Sequence, residues 1–258
     1  MSSAASSSSL PPHKALLIKH AMSVDALKFG SFTLKSGRQS PYFFNAGLLC
    51  TGPILATLSA AYAQTIVDGL KGYEESNGSE SEASSTSSSS LQAGSLPPFD
   101  VLFGPAYKGI PFASTAALAL FNQHSISVGF AYDRKEAKDH GEGGSLVGVA
   151  VKGKKVVILD DVMTSGKAIR GAIDKVVEAG GQVVGVVQAL DREEVGGAGT
   201  SVSGEGRSTV QEIEDIVGKG RVVSILKMRD LMQWLEEQGY KGELEKMQEY
   251  RDKYGVKN

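Results

Sequence analysis

Asp160 and Asp161 directly follow the short apolar run Val-Val-Ile-Leu at 156–159, and Thr164-Ser165-Gly166 comes three residues later. Ile169, Ala172, Ile173, Val176 and Val177 then recur at helical spacing. The pattern over 156–177 predicts a buried strand, an acidic strand end, a hydroxyl-rich turn and a helix. Such a turn presents backbone N–H groups at a helix N-terminus. There the helix dipole and two hydroxyls would make a seat for phosphate. Two carboxylates beside a phosphate would repel it, so they fit best facing sugar hydroxyls or the waters of a Mg2+. These residues alone leave a plainer reading open: Asp160 as an ordinary strand end and Thr164-Ser165 as an ordinary helix cap. Gly166-Lys167 is not part of a P-loop, which needs Gly where Asp161 stands and Ser or Thr where Ala168 stands.

A second chemistry-bearing segment is basic. Arg134, Lys135, Lys138 and His140 fall within seven residues, followed by Gly141, Gly143 and Gly144 and interleaved with acids at 133, 136, 139 and 142. One reading is a solvated charge run. The other is a mobile basic lid closing on a polyanion, with glycines as hinges, Arg clamping phosphate with its fork and Lys acting as a point charge. His140 could serve as an acid or a charge donor.

These segments need a scaffold. Residues 1–12 are Ser/Pro-rich and expected to be disordered. Leu17, Ile18, Ala21, Met22 and Val24 predict an amphipathic helix over 14–27. The aromatic stretch 29–44 reads as strand, broken at 35–38. A helix is expected over 53–70, with Leu55, Leu58, Ala61, Tyr62 and Thr65 on one stripe. Composition shifts at Gly72, and about 73–98 reads as a low-complexity surface insertion inside a single domain, 13–258. Closure entropy grows only logarithmically with loop length, so such an insertion is tolerable. Strands are expected at 100–103, 127–132, 155–159, 182–190 and 222–226. Helices are expected at 110–121, 167–179 and near 228–238 and 243–254, with charged and Gly/Ser-rich loops at 134–144 and 194–208. This alternation predicts an α/β fold with a mostly parallel sheet covered on both faces. Ligands in such sheets bind beyond the carboxyl ends of strands, where both chemistry-bearing segments lie.

Composition narrows the function classes. The 258 residues are 41% hydrophobic, and 27 basic against 29 acidic residues give a net charge of −2. That argues against nucleic-acid binding through a generalised basic surface. The single cysteine, Cys50, excludes an internal disulfide and a two- or four-cysteine zinc site, and is expected as a small buried apolar residue. No apolar run approaches the roughly 18 residues of a membrane span. The N-terminus MSSAASSSSLPP lacks a basic n-region and an apolar h-region, so a cytoplasmic location is expected.

Taken together, the strand–acid–turn–helix segment and the basic segment resemble a type I phosphoribosyltransferase. FGSFTLKSGRQSPYFFNAGL at 29–48, LFGPAYKGIP at 102–111, FAYDRKEAKDHGEGGSLVG at 130–148 and ALDR at 189–192 narrow the likeness to orotate phosphoribosyltransferase. It covers nearly the whole chain apart from 1–12, the Ser-rich insertion and 194–208. The resemblance implies a mostly parallel central sheet flanked by helices, with a small hood built largely from the N-terminal segment. It implies that Asp160, Asp161, Val162, Met163, Thr164, Ser165, Gly166, Lys167 and Ala168 hold the 5-phosphate and ribose hydroxyls of phosphoribosyl pyrophosphate. Lys35, Tyr107 and Lys108 would contact the same donor, Phe43 and Phe44 would frame orotate, and Arg192 would face its carboxylate. Arg134, Lys135, Lys138 and His140 would close on pyrophosphate, reaching into the neighbouring subunit's site in a homodimer. Mg2+ would be held mainly through substrate and water, with no direct protein ligand set.

One position departs from the family: Lys167 stands where a small hydroxyl residue is usual. It could strengthen the phosphate site, point outward or crowd the turn. Two rivals stay in view. One is a phosphoribosyltransferase for another nucleobase, against which Phe43-Phe44 and Arg192 speak. The other is a non-catalytic donor-binding regulator, for which residues 1–28 are too short and Ser-rich to supply an effector module. The chain ends at Asn258, too soon for a fused decarboxylase, so the monofunctional, fungal-like form is expected.

Overall fold

Leu17, Ile18 and Ala21 bury one face of α1 (Pro12–Ser23). The helix stops short of the expected Leu27 because Asp25 turns into the left-handed region at φ 58°. Leu27 instead opens β1 (Leu27–Thr33), which pairs antiparallel with β2 (Gln39–Phe44). The computed structural model describes residues 9–34, 36–78, 94–138, 144–196 and 206–257. Within the stretch expected to be disordered, Leu10 is buried and its N–H donates to Glu237 Oε1 at 2.9 Å, so order reaches at least that far.

The stripe on α2 (Gly52–Gly78) buries Leu58, Ala61, Tyr62 and Thr65, with Leu55 at its margin. Good helix formers such as Lys71, Glu74 and Glu75 carry α2 beyond the expected end. The low-complexity stretch is also narrower at its far end. Leu96 is fully buried, against Gly69 of α2 and Gly185, whose missing side chains leave it room. Residues 79–93 of that insertion lie outside the described residues. Cys50 is exposed rather than buried, because its neighbour Leu49 takes the core position.

The main sheet contains β3 (Val101–Gly104), β4 (Gly129–Lys138), β5 (Gly144–Gly148), β6 (Lys155–Asp160), β7 (Gln182–Asp191) and β8 (Val222–Lys227). Its order is β5-β4-β3-β6-β7-β8, parallel throughout except for the β4–β5 edge. Within the segment 134–144, expected as a loop, residues 134–138 instead continue β4 and Gly144 opens β5, which pairs antiparallel beside it, whereas 139–143 lie outside the described residues. Alternating charge suits an edge pair, where both strand faces need not be apolar.

One face of the sheet is covered by α1, α2, α3 (Gly109–His124), α6 (Met228–Gln238) and α7 (Lys241–Tyr254) around one apolar core. The other carries α4 (Lys167–Glu178) and α5 (Thr209–Val217) around a second. On α4, Ile169, Ala172, Ile173 and Val176 are buried, whereas Val177 is 56% exposed. Eight residues past Ile169, Val177 is rotated about 80° away from it around a helix of 3.6 residues per turn. Helix α5 was not expected from the sequence. Its N-cap Ser208 and Gln211 form a capping box that ends the Gly/Ser-rich stretch. Among the described residues no helix is long and apolar enough to cross a membrane.

Candidate active site

Strand β6 delivers Asp160 and Asp161 to the carboxyl edge of the sheet. The Tyr62 hydroxyl donates to the Asp160 carbonyl at 2.7 Å, fixing the strand end from α2. The Asp161 carbonyl accepts the N–H groups of Ala189 and Leu190, fixing it from β7. The two carboxylates are not equivalent. Asp160 Oδ1 accepts the Asp161 N–H at 2.9 Å, and burial together with the Asp161 charge pushes its carboxyl up to about 7. Asp161 Oδ2 accepts the Lys108 ammonium at 2.7 Å; Lys108 itself is 56% exposed.

The turn that follows is held from its flanks. Met163 is buried and donates its N–H to Gln188, whose amide in turn donates to Ser224. Val162 packs against the opposite core. Gly166 caps α4 at φ 69°, and no side chain caps that helix start. Thr164 and Ser165 thus do not form the ordinary cap. They are exposed, with Lys167 and Ala168, around N–H groups that an anion could take. Thr209 of α5 donates to the Thr164 carbonyl at 2.7 Å.

Tyr107 and Lys108 lie in the turn between β3 and α3. Buried Asp133, just before the basic residues of β4, accepts the Ala106 N–H at 2.6 Å and pairs with Lys175 of α4. One carboxylate thereby ties together strand β4, the β3–α3 turn and the helix that follows the 160–166 turn. The Ala106–Tyr107 peptide is cis. Tyr107 is 66% exposed, and Lys135 Nζ stands 4.5 Å from its ring centroid. Arg134 is half-buried on the same strand. Lys138 ends β4, with its side chain outside the described set, and Lys35 and His140 lie outside the described residues altogether.

The hairpin β1–β2 contributes the opposite wall. Phe43 and Phe44, Lys108, Asp161, Thr164 and Arg192 line one cavity of about 440 Å³, together with Val162 and Met163. Arg38, Glu194 and Thr209 line it too, although sequence reasoning did not select them. Arg38 was visible only as part of the LKSGR motif, and Glu194 as the second residue after ALDR. Asp133 was seen only as an acid interleaved in a charge run. A second cavity, of about 450 Å³, lies beyond Asp191 between α1, α2, α5 and β8, and none of the expected site residues lines it.

Among the described residues no group of three or more His, Cys, Asp or Glu could hold a metal ion. The adjacent carboxylates Asp160 and Asp161 fit an ion held mostly by substrate oxygens and water.

A mostly parallel sheet with an uncapped, hydroxyl-bearing turn behind paired aspartates defines a phosphoribosyltransferase, and residues 83–221 match the phosphoribosyl transferase domain model. More narrowly, the chain belongs to the orotate phosphoribosyltransferase family. It is 46% identical over 244 residues to the orotate phosphoribosyltransferase of Acinetobacter baumannii (strain ACICU), covering 95% of this chain and 97% of that one. It is 43% identical over 248 residues to the enzyme of the same name from Shigella flexneri serotype 5b, covering 96% and 100%. The crystal structure of orotate phosphoribosyltransferase from Francisella tularensis superposes with a TM-score of 0.71 at 34% identity, covering 93% of this chain and 99% of that one.

Proposed function

We propose that this chain transfers the 5-phosphoribosyl group of phosphoribosyl pyrophosphate to orotate, giving orotidine 5'-phosphate and pyrophosphate in pyrimidine biosynthesis. The observation that carries this reading is one cavity with Phe43, Phe44 and Arg192 among its walls and Lys108, Asp161 and Thr164 among the others. Orotate is flat and carries a carboxylate. Aromatic faces suit its ring, and a guanidinium suits its charge. The residues 160–168 hold the 5-phosphate and ribose hydroxyls of the donor. Lys35 meets its pyrophosphate, Tyr107 and Lys108 contact the same donor, and Arg134, Lys135, Lys138 and His140 close on the pyrophosphate.

In the reaction the bond from the anomeric carbon to pyrophosphate breaks as the orotate ring nitrogen bonds to that carbon. The path runs through an oxocarbenium-like state resembling that of glycoside cleavage. Negative charge grows on the departing pyrophosphate, where Lys108 and the cations of the β4–β5 hairpin oppose it. Closure of that hairpin excludes water, which would otherwise compete for the sugar. The attacking ring nitrogen gives up its proton as the new bond forms, and the departing pyrophosphate, gaining negative charge, accepts it, so no dedicated side-chain base is required. A bound Mg2+ would supply further neutralisation of the pyrophosphate oxygens, with Asp160 and Asp161 positioned to accept from its waters. The reading includes a homodimer with shared sites, a cytoplasmic location, and a single domain over 13–258.

The test is direct. Protein is mixed with orotate, phosphoribosyl pyrophosphate and Mg2+, and loss of orotate absorbance is followed, with uracil and hypoxanthine in parallel and a chelator control. Turnover of orotate that stops on chelation is expected. Turnover of uracil or hypoxanthine without orotate would overturn the assignment. Sedimentation of the same sample tests the dimer.

A further inference from the structure

The Glu194 carboxylate lies between two guanidiniums on the wall of the cavity. Its Oε1 accepts Arg192 Nε at 2.7 Å, and its Oε2 accepts Arg38 Nη1 at 3.3 Å. All three side chains are enclosed: Glu194 and Arg192 are 12% exposed and Arg38 14%. The geometry points to Glu194 as a positioning residue that aims Arg192, with Arg38 beside it, and so sets selection for a carboxylate-bearing acceptor. This rests on the reading of Arg192 as the partner of the orotate carboxylate.

Each guanidinium has further partners, and the Tyr250 side chain adjoins both Arg192 and Glu194. Arg192 stacks 4.3 Å from the centroid of the Tyr42 ring and donates from Nη2 to Ser40 Oγ at 2.9 Å. The Ser40 hydroxyl is free to accept because its own hydrogen is given to the Tyr42 carbonyl at 2.7 Å. Arg38 stacks 4.7 Å from the centroid of the Tyr254 ring and donates to the Val195 carbonyl. Stacking restrains the plane of a guanidinium but lets it rotate within that plane. For Arg192 the bond from Nε to Glu194 adds a second in-plane restraint to the one from Nη2 to Ser40, and the two together fix where the remaining N–H groups point.

The main chain places Glu194 for this task. Glu193 adopts φ 50°, and its N–H is taken by the Asp191 side chain. Val195 donates to the Tyr254 carbonyl and Val256 to the Glu193 carbonyl, so the segment is clamped along the exit of α7. The Glu193 carboxylate is occupied by Arg229, leaving Glu194 to serve the cavity. Only a carboxylate accepts at both oxygens. A glutamine would accept from one arginine and turn an N–H2 toward the other.

The experiment compares Glu194→Gln, Arg192→Gln and the parent protein. KM and kcat are measured separately for orotate and for the donor, with uracil as the acceptor lacking the carboxylate. For Glu194→Gln the orotate KM is expected to rise about tenfold, the size of one weakened charge-assisted hydrogen bond, while the donor KM stays within about twofold. The orotate-to-uracil ratio of kcat/KM is expected to fall with it. An unchanged orotate KM, or both KM values rising by one factor as they would for a general loss of structure, overturns the proposal. Arg192→Gln separates the two layers. If it alone raises the orotate KM, the positioning role is wrong and the acceptor reading stands. If neither variant does, the acceptor reading falls as well. Glu194→Asp keeps the charge but withdraws it by one methylene, and it supplies the same readout should Glu194→Gln not fold.

Discussion

The Thr209 hydroxyl donates to the main-chain carbonyl of Thr164 at 2.7 Å, tying the first residue of α5 to the turn between β6 and α4. The turn owes its shape to this neighbour as well as to its own residues, for a Cβ built on Gly166 would meet the Thr209 methyl at 2.9 Å. Thr209→Val keeps that methyl and deletes the hydrogen bond. Its expected effect is a loss of about 1 kcal/mol of stability and a several-fold rise in the donor KM. A lower Tm with an unchanged donor KM would confine the bond to holding the fold.

Lys167 places a cation at the first residue of α4, against the positive end of the helix dipole. Without an anion this arrangement is unfavourable; a bound phosphate reverses the sign. Lys167→Thr is therefore expected to stabilise the ligand-free protein by about 0.3–1 kcal/mol and to raise the donor KM. Thermal unfolding and steady-state kinetics on the same preparation test both halves. Kinetic constants identical to those of the parent would show that the side chain points away from the phosphate.

Asp160 should give the protein two opposed pH dependences. Its carboxyl is raised from 3.8 to about 7, by burial first and the Asp161 charge second, so the native state binds this proton more tightly than the unfolded chain does. Its contribution to stability is then complete below about pH 4 and lost as pH rises through about 7. Donor binding runs the other way, because a protonated Asp160 accepts fewer hydrogen bonds from sugar hydroxyls or metal-bound water. The donor KM is expected to climb as pH falls from about 8 to about 6, and Asp160→Asn should flatten both profiles. Parallel profiles in parent and variant would assign the titration to another group.

The ammonium of Lys135 rests over the Tyr107 ring. Lys135→Ala is expected to cut kcat by about a hundredfold or more with a smaller change in KM, since charge on the leaving group is greatest in the transition state. Lys138→Ala should act in the same direction. Full activity in both single variants would remove the catalytic role of the hairpin.

Legibility in the sequence followed the range of the forces involved. Alternating apolar periods made the parallel sheet readable, and the acidic strand end with its hydroxyl turn marked one wall of the candidate site. Helix α5 escaped because a Gly/Ser-rich stretch runs directly into it, although Ser208 and Gln211 carry a capping signature. Strand β5 escaped because it is five residues long with glycine at both ends, and the β4 extension it pairs with carries interleaved charge. Glu194, Thr209 and Asp133 act across large separations in the chain, and no local spacing announces a partner 156, 45 or 27 residues away.

The ion pair of Lys108 with Asp161 gives the site its own counter-ion. A polyanion that takes up Lys108 must displace a carboxylate already seated there, so binding at this position is an exchange. A more highly charged anion competes better in that exchange than a monovalent one. The displaced Asp161 is freed at the same moment to face the sugar or the hydrated metal. Under the proposed roles, capture of the leaving group by Lys108 and release of Asp161 toward the donor would be one event.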